Sequence, residues 1–180
     1  MNPFEVLGIE PRLILGREQL NQAFRKAGKS AHPDAGGLEE DFAQLQAAMD
    51  ILASPARRLR AWLELKGVEV DSRGSIGSEL MDEFGRVGDV TQQAEAIIRK
   101  RETTRSALAM AMLEDETQRC RETLEVAIAR IDSIIVDTCS KFEALEQAER
   151  IDPAAMEWHR NLKFLEKWQA SLKGLYARLL

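Results

Sequence analysis

His32, Pro33 and Asp34 place an imidazole, a ring-locked backbone and a carboxylate in succession. They suit recognition better than catalysis. Pro33 has a fixed φ and no N–H, so it holds the trio in one shape and lowers the ordering cost of binding, while Asp34 offers a carboxylate able to make a charge-assisted contact. The chain has one other histidine, His159, which is expected at the surface or its boundary beside Trp158. Neither histidine sits near a nucleophile, a metal triad or a phosphate-cradling glycine loop, so no catalytic residue is expected and the chain does not read as an enzyme. Cys120 and Cys139 form neither a close metal-binding pair nor a disulfide framework. No metal and no cofactor are expected, and the cysteine usage fits a reducing cytoplasm.

The elements around the tripeptide are two amphipathic helices. Upstream, Leu20, Ala23, Phe24, Ala27 and Ala31 recur on one helical stripe, with Arg25, Lys26 and Lys29 on the opposite side. Pro33 disfavours helical geometry at His32, so this helix should stop just before the tripeptide, and Gly36 and Gly37 supply a turn. Downstream, Glu39, Glu40 and Asp41 place negative charge at the start of a second helix, and Phe42, Leu45, Met49 and Leu52 form its apolar stripe. An antiparallel helix pair is expected, with His32-Pro33-Asp34 at its tip. Before it, Asn2 caps a short opening helix, Pro3 suits its first position and Gly8 its end. After it, Ser54-Pro55 stops one helix and starts another, which carries Leu59, Trp62 and Leu63 and ends at Gly67.

A cationic helix, a His-Pro-Asp tip and a following amphipathic helix together resemble the J domain of DnaJ-type co-chaperones, over roughly residues 1–66. Ala31 and Ala35 stand where that family usually carries an aromatic residue and a lysine. The resemblance implies that His32, Pro33 and Asp34, with Arg25, Lys26 and Lys29, bind the ATPase domain of a DnaK-type chaperone and accelerate its ATP hydrolysis.

The chain has 180 residues, 44% of them hydrophobic, which is enough for one packed domain or two small ones. Its net charge of −5 is uneven, with nine basic and nine acidic side chains in residues 1–66 and the acidic excess beyond them. An acidic chain argues against nucleic acid as the main partner, and the short apolar run Leu13-Ile14-Leu15 cannot span a membrane, so a soluble cytoplasmic protein is expected.

Three glycines and few large apolar residues mark residues 67–77 as a linker. Beyond it no strand pattern appears, and residues 78–180 are expected to form an antiparallel three-helix bundle, making the fold all-α. Leu124, Ile128, Ile131, Ile135, Thr138, Phe142 and Leu145 make a heptad seam. Asp152-Pro153 opens a last helix whose buried stripe is expected to be Trp158, Leu162, Leu165, Leu172, Tyr176 and Leu179. Val90, Ala94, Ile97, Leu108 and Ala111 belong to an earlier helix, and a capping box of Asp115 with Gln118 puts the turn after it near Glu114.

A J domain followed by a helical bundle in a chain of this length resembles HscB, the co-chaperone family of iron–sulfur cluster biogenesis. Leu80-Met81 with Phe84, and Phe164 within Asn161–Lys167, match apolar positions of that family. By that resemblance Leu80, Met81, Phe84 and Phe164 bind an IscU-like scaffold, which the J domain presents to a DnaK/HscA-type chaperone ATPase. Gly85 and Gly88 stand where the family usually has acidic residues. Two other readings stay open: a J-domain adaptor for a different client, and a structural helical protein assembling through residues 124–145.

Overall fold

The computed structural model describes residues 1–31, 39–71 and 77–180. Helices α1 (Pro3–Val6), α2 (Arg17–Ala31), α3 (Glu39–Ala53) and α4 (Pro55–Leu65) are followed by a 3-10 turn (Ser78–Leu80) and by α5 (Met81–Thr103), α6 (Ala107–Cys139), α7 (Phe142–Gln147) and α8 (Ala155–Arg178). Among the described residues there is no strand. No helix among them is long and apolar enough to cross a membrane. The chain divides into two compact units, Met1–Gly74 with Thr138–Lys163, and Ser75–Asp137 with Phe164–Leu180.

In the first unit the helix ends follow from local chemistry. Asn2 Oδ1 accepts the Phe4 N–H at 3.1 Å and Ser54 Oγ accepts that of Arg57 at 3.1 Å, each just before a proline in the first helical position. Gly8 and Gly67 take φ of +62° and +79°, values costly for other residues. Beyond each glycine the chain bonds back across the helix end, Ile9 N to Phe4 O and Val68 N to Leu63 O, both at 3.0 Å. Leu20 and Ala23 of α2, and Leu45, Ala48 and Leu52 of α3, are buried, and the Phe24 and Phe42 rings meet edge to face at 6.3 Å. The buried Arg58 donates from Nη1 to Leu52 O at 2.7 Å, satisfying a carbonyl in the last turn of α3.

The second unit is a three-helix core. Leu80, Val87, Ala94 and Ile98 pack with Cys120, Leu124 and Ile131 of α6 and with Leu165, Trp168, Leu172, Leu175 and Leu179 of α8. Polar links fix helix directions. Glu83 meets Arg130 and Lys100 meets Glu116, so α5 and α6 are antiparallel; Glu125 meets Tyr176 and Asp132 meets Gln169, so α6 and α8 are antiparallel. Phe84 beside Trp168 and Glu102 beside Arg178 make α5 and α8 run the same way.

Three expectations are corrected. The turn lies at residues 104–106 instead of near Glu114, because Thr104 turns extended with ψ 123°. The Thr103 and Thr104 hydroxyls bond back to the Lys100 carbonyl at 3.1 and 2.7 Å, and Met110 N bonds to Ser106 O at 2.9 Å to start α6. Asp115 and Gln118 lie inside α6 and make no capping box. The heptad seam crosses a helix break after Cys139, so Thr138, Phe142 and Leu145 bury in the first unit. Residues 138–163 thus pack with the N-terminal unit, where the sequence placed all of 78–180 in one bundle. Finally, Trp158 and Tyr176 are only half-buried, and the stripe of α8 runs through Ala155, His159, Leu162, Leu165, Trp168, Leu172, Leu175 and Leu179.

Candidate functional site

The cationic face of α2 forms as the periodicity requires. Leu20 and Ala23 turn inward, and Arg25, Lys26 and Lys29 are exposed on the other side. Arg25 is tied within its helix, by Nη2 to Glu18 Oε1 at 3.1 Å and by Nε to Asn21 O at 3.3 Å. Lys26 and Lys29 make no ion pair with a described residue, so they are the cations of this face that are available to a partner. His32, Pro33 and Asp34 lie outside the described residues.

The second set of residues separates into core and surface. Leu80 is 4% exposed and belongs to the core of the second unit, so it supports a surface instead of presenting one. Met81 and Phe84, in the first turn of α5, are 55% and 53% exposed. Phe164 is half-buried against the same core. Trp168, absent from the sequence-derived set, joins them: its ring centroid is 6.0 Å from that of Phe84 and 6.1 Å from that of Phe164. Three aromatic rings therefore form a continuous apolar strip from α5 to α8, with Trp168 sunk between two more exposed neighbours. The sequence did hold a signal for Trp168, which lies four residues, and so one helical turn, from Phe164.

Next to Phe84 in the chain, Glu83 is almost wholly buried and accepts from Arg130 Nε at 2.7 and 2.8 Å and from Nη2 at 2.6 Å; Arg86 approaches within 3.7 Å. The Arg130 hydrogen bonds hold the Glu83 carboxyl below its usual range despite burial, and the Arg130 and Arg86 charges act in the same sense. This pair anchors α5 to α6 at the level of Phe84. It was not legible in sequence, because 47 residues separate the partners. Gly85 and Gly88 flank the strip on α5, and a Cβ at either would meet nothing within 4 Å, so neither glycine is demanded by packing. Glycine here leaves open space at these two positions, while Asp82 and Asp89 stay exposed on either side of Gly85.

No known family model matches the chain. Over 55 residues it is 40% identical to a dnaJ chaperone protein of Oryza sativa, a stretch that is 31% of this chain and 13% of that protein. A tetratricopeptide repeat and J-domain co-chaperone of Cryptococcus neoformans is 44% identical over 57 residues, 32% of this chain and 10% of that one. The chain thus spans little of the length of these curated relatives. Across its whole length it shares the fold of the chaperone HscB from Vibrio cholerae, with a TM-score of 0.60, 21% identity and full coverage of both chains.

Proposed function

We propose that this chain is a J-domain co-chaperone that stimulates ATP hydrolysis by a DnaK/HscA-type chaperone and delivers to it an IscU-like iron–sulfur cluster scaffold. The observation that carries the first half is His32-Pro33-Asp34 directly after a helix whose exposed Lys26 and Lys29 make no ion pair with a described residue, in a chain similar to J-domain proteins over 55 to 57 residues. The second half rests on the exposed Met81 and Phe84, joined through Trp168 to Phe164, in a chain with the HscB fold. Both halves are binding chemistry. The co-chaperone contributes a cationic face for long-range attraction, a carboxylate for a charge-assisted bond, and an aromatic strip whose burial holds the client.

Asp34→Asn tests the first half, since it removes the charge and nearly keeps the shape. Stimulation of a DnaK-type ATPase should collapse while circular dichroism and melting stay unchanged; stimulation that survives removes the mechanism. A different client is the second reading, and Gly85 and Gly88 favour it, because a scaffold surface matched to acidic residues finds none at these positions. Titration of an IscU-like scaffold against the chain decides between them: saturable binding lost in Phe84→Ala supports delivery of the scaffold, and no binding assigns another client.

A further inference from the structure

α6 is 33 residues long, about 50 Å, and it carries two heptad seams. The inner one, through Leu124 and Ile131, is covered by α5 and α8. The outer one, Leu108, Met112, Asp115, Arg119, Glu122, Val126, Ala129, Ser133 and Val136, alternates steps of four and three and is exposed at every position. Its large apolar members Leu108, Met112, Val126 and Val136 are 73%, 73%, 70% and 64% exposed. An isolated exposed leucine or valine is ordinary, but four in one register on one face are not. At its centre Asp115 and Arg119 carry opposite charges, and although four residues apart they make no ion pair with each other or with another described residue.

We propose that this outer seam is an interface between two copies of the chain, with the second α6 packed antiparallel about a dyad level with residue 117. In that register Asp115 faces Arg119 of the partner subunit and Arg119 faces Asp115 of the partner subunit, while Leu108 and Val126 face each other twice. The charge pattern is therefore its own complement, which a two-fold interface requires. In the same register Met112 lies level with Glu122 of the partner subunit, and sliding the partner by one heptad in either direction breaks both Asp115–Arg119 pairs. Val126 further lines a groove of about 350 Å³ between α5 and α6 whose wall is part aliphatic, with Val87, Val90, Ala127 and Ile131, and part charged, with Arg86, Asp89 and the Glu83–Arg130 pair; its aliphatic part receives Leu108 of the partner subunit. The contact from Leu108 to Val126 runs about 27 Å along each helix, which places it at the weak end of specific interfaces, with assembly in the micromolar range.

Sedimentation equilibrium of the full chain from about 1 µM to about 1 mM tests the assembly. A monomer–dimer transition is expected, and Asp115→Arg or Arg119→Asp alone should each weaken it at least about tenfold by setting like charges together twice. The double variant D115R/R119D restores the complement and should recover wild-type dissociation to within about threefold. Circular dichroism on each variant confirms that helix content is kept. A chain that stays monomeric throughout overturns the proposal, as does a dimer insensitive to the single reversals or one that the double variant fails to rescue.

Discussion

His159 sits 3% exposed in the stripe of α8, with Nδ1 3.1 Å from Ala56 O, the carbonyl at the start of α4. Burial pushes its pKa below the ordinary imidazole value of 6.5; the bond to Ala56 O acts in the opposite sense, and the Arg60, Lys163 and Arg160 charges lower it further. The folded state therefore binds a proton less readily than the unfolded chain. Stability is fully present above pH 6.5 and is lost as pH falls from there toward the lower folded value, because the unfolded state gains the proton first. Melting temperatures measured from pH 7.5 down to 5.5 should decline in the wild type, whereas His159→Gln, which cannot take up a proton, should show a flatter profile over that interval. An equally steep decline in the variant would assign the loss to other groups. The surface position that the sequence implied for His159 fails for a physical reason: a polar residue beside a tryptophan reads as a boundary, and the carbonyl that accepts its proton lies 103 residues away. Leu80 fails similarly, because a Leu-Met pair at the start of a helix does not say which member turns inward.

Helix ends governed by their own residues were legible, and those governed by distant contacts were not. Asn2, Ser54, Gly8 and Gly67 act within a turn of where they stand, so their stops and starts could be read directly. The turn at residues 104–106 has neither glycine nor proline; Arg101, one turn before it, donates to Leu179 O at 2.8 Å, and that carbonyl also accepts from Arg121 at 2.9 Å. Periodicity also cannot show a helix break that preserves its count, which is why the seam through Thr138, Phe142 and Leu145 looked continuous. Within α5 the opposite conflict holds. Gly85 and Gly88 weaken a helix interior where a Cβ would meet nothing within 4 Å, so sequence and geometry both predict a gain from filling them. Gly85→Ala and Gly88→Ala should each raise stability by about 0.5 to 1 kcal/mol, read as a higher urea midpoint at unchanged slope. If either alanine destabilises the chain, the space beside α5 is not open.

At the scale of the whole molecule, α2 with its exposed Lys26 and Lys29 falls in the first unit and the Phe84–Trp168–Phe164 strip in the second. The sequence distinguished these two regions because each depends on short-range patterns, and it missed the return of residues 138–163 to the first unit because that depends on tertiary packing. The proposed delivery requires both surfaces on one chain: with a client held, the J domain would meet the chaperone at an effective concentration far above that of free protein, on the order of millimolar for short connections. Asp34→Asn should retain scaffold binding without stimulating ATP hydrolysis. Phe84→Ala should retain basal stimulation and weaken scaffold binding by at least about tenfold, the loss typical of a central aromatic contact. Because Phe84 is 53% exposed, its truncation should lower the melting temperature far less than that of the buried Trp168. A mixture of the two variants, held at nanomolar concentrations at which the chain is monomeric, contains every functional surface but never two on one molecule. Its scaffold-dependent ATP turnover should equal the sum of the separate variants, well below wild type. Recovery of wild-type turnover in that mixture would show that the two surfaces act independently, and the chain would then be a stimulator and a binder without being an adaptor.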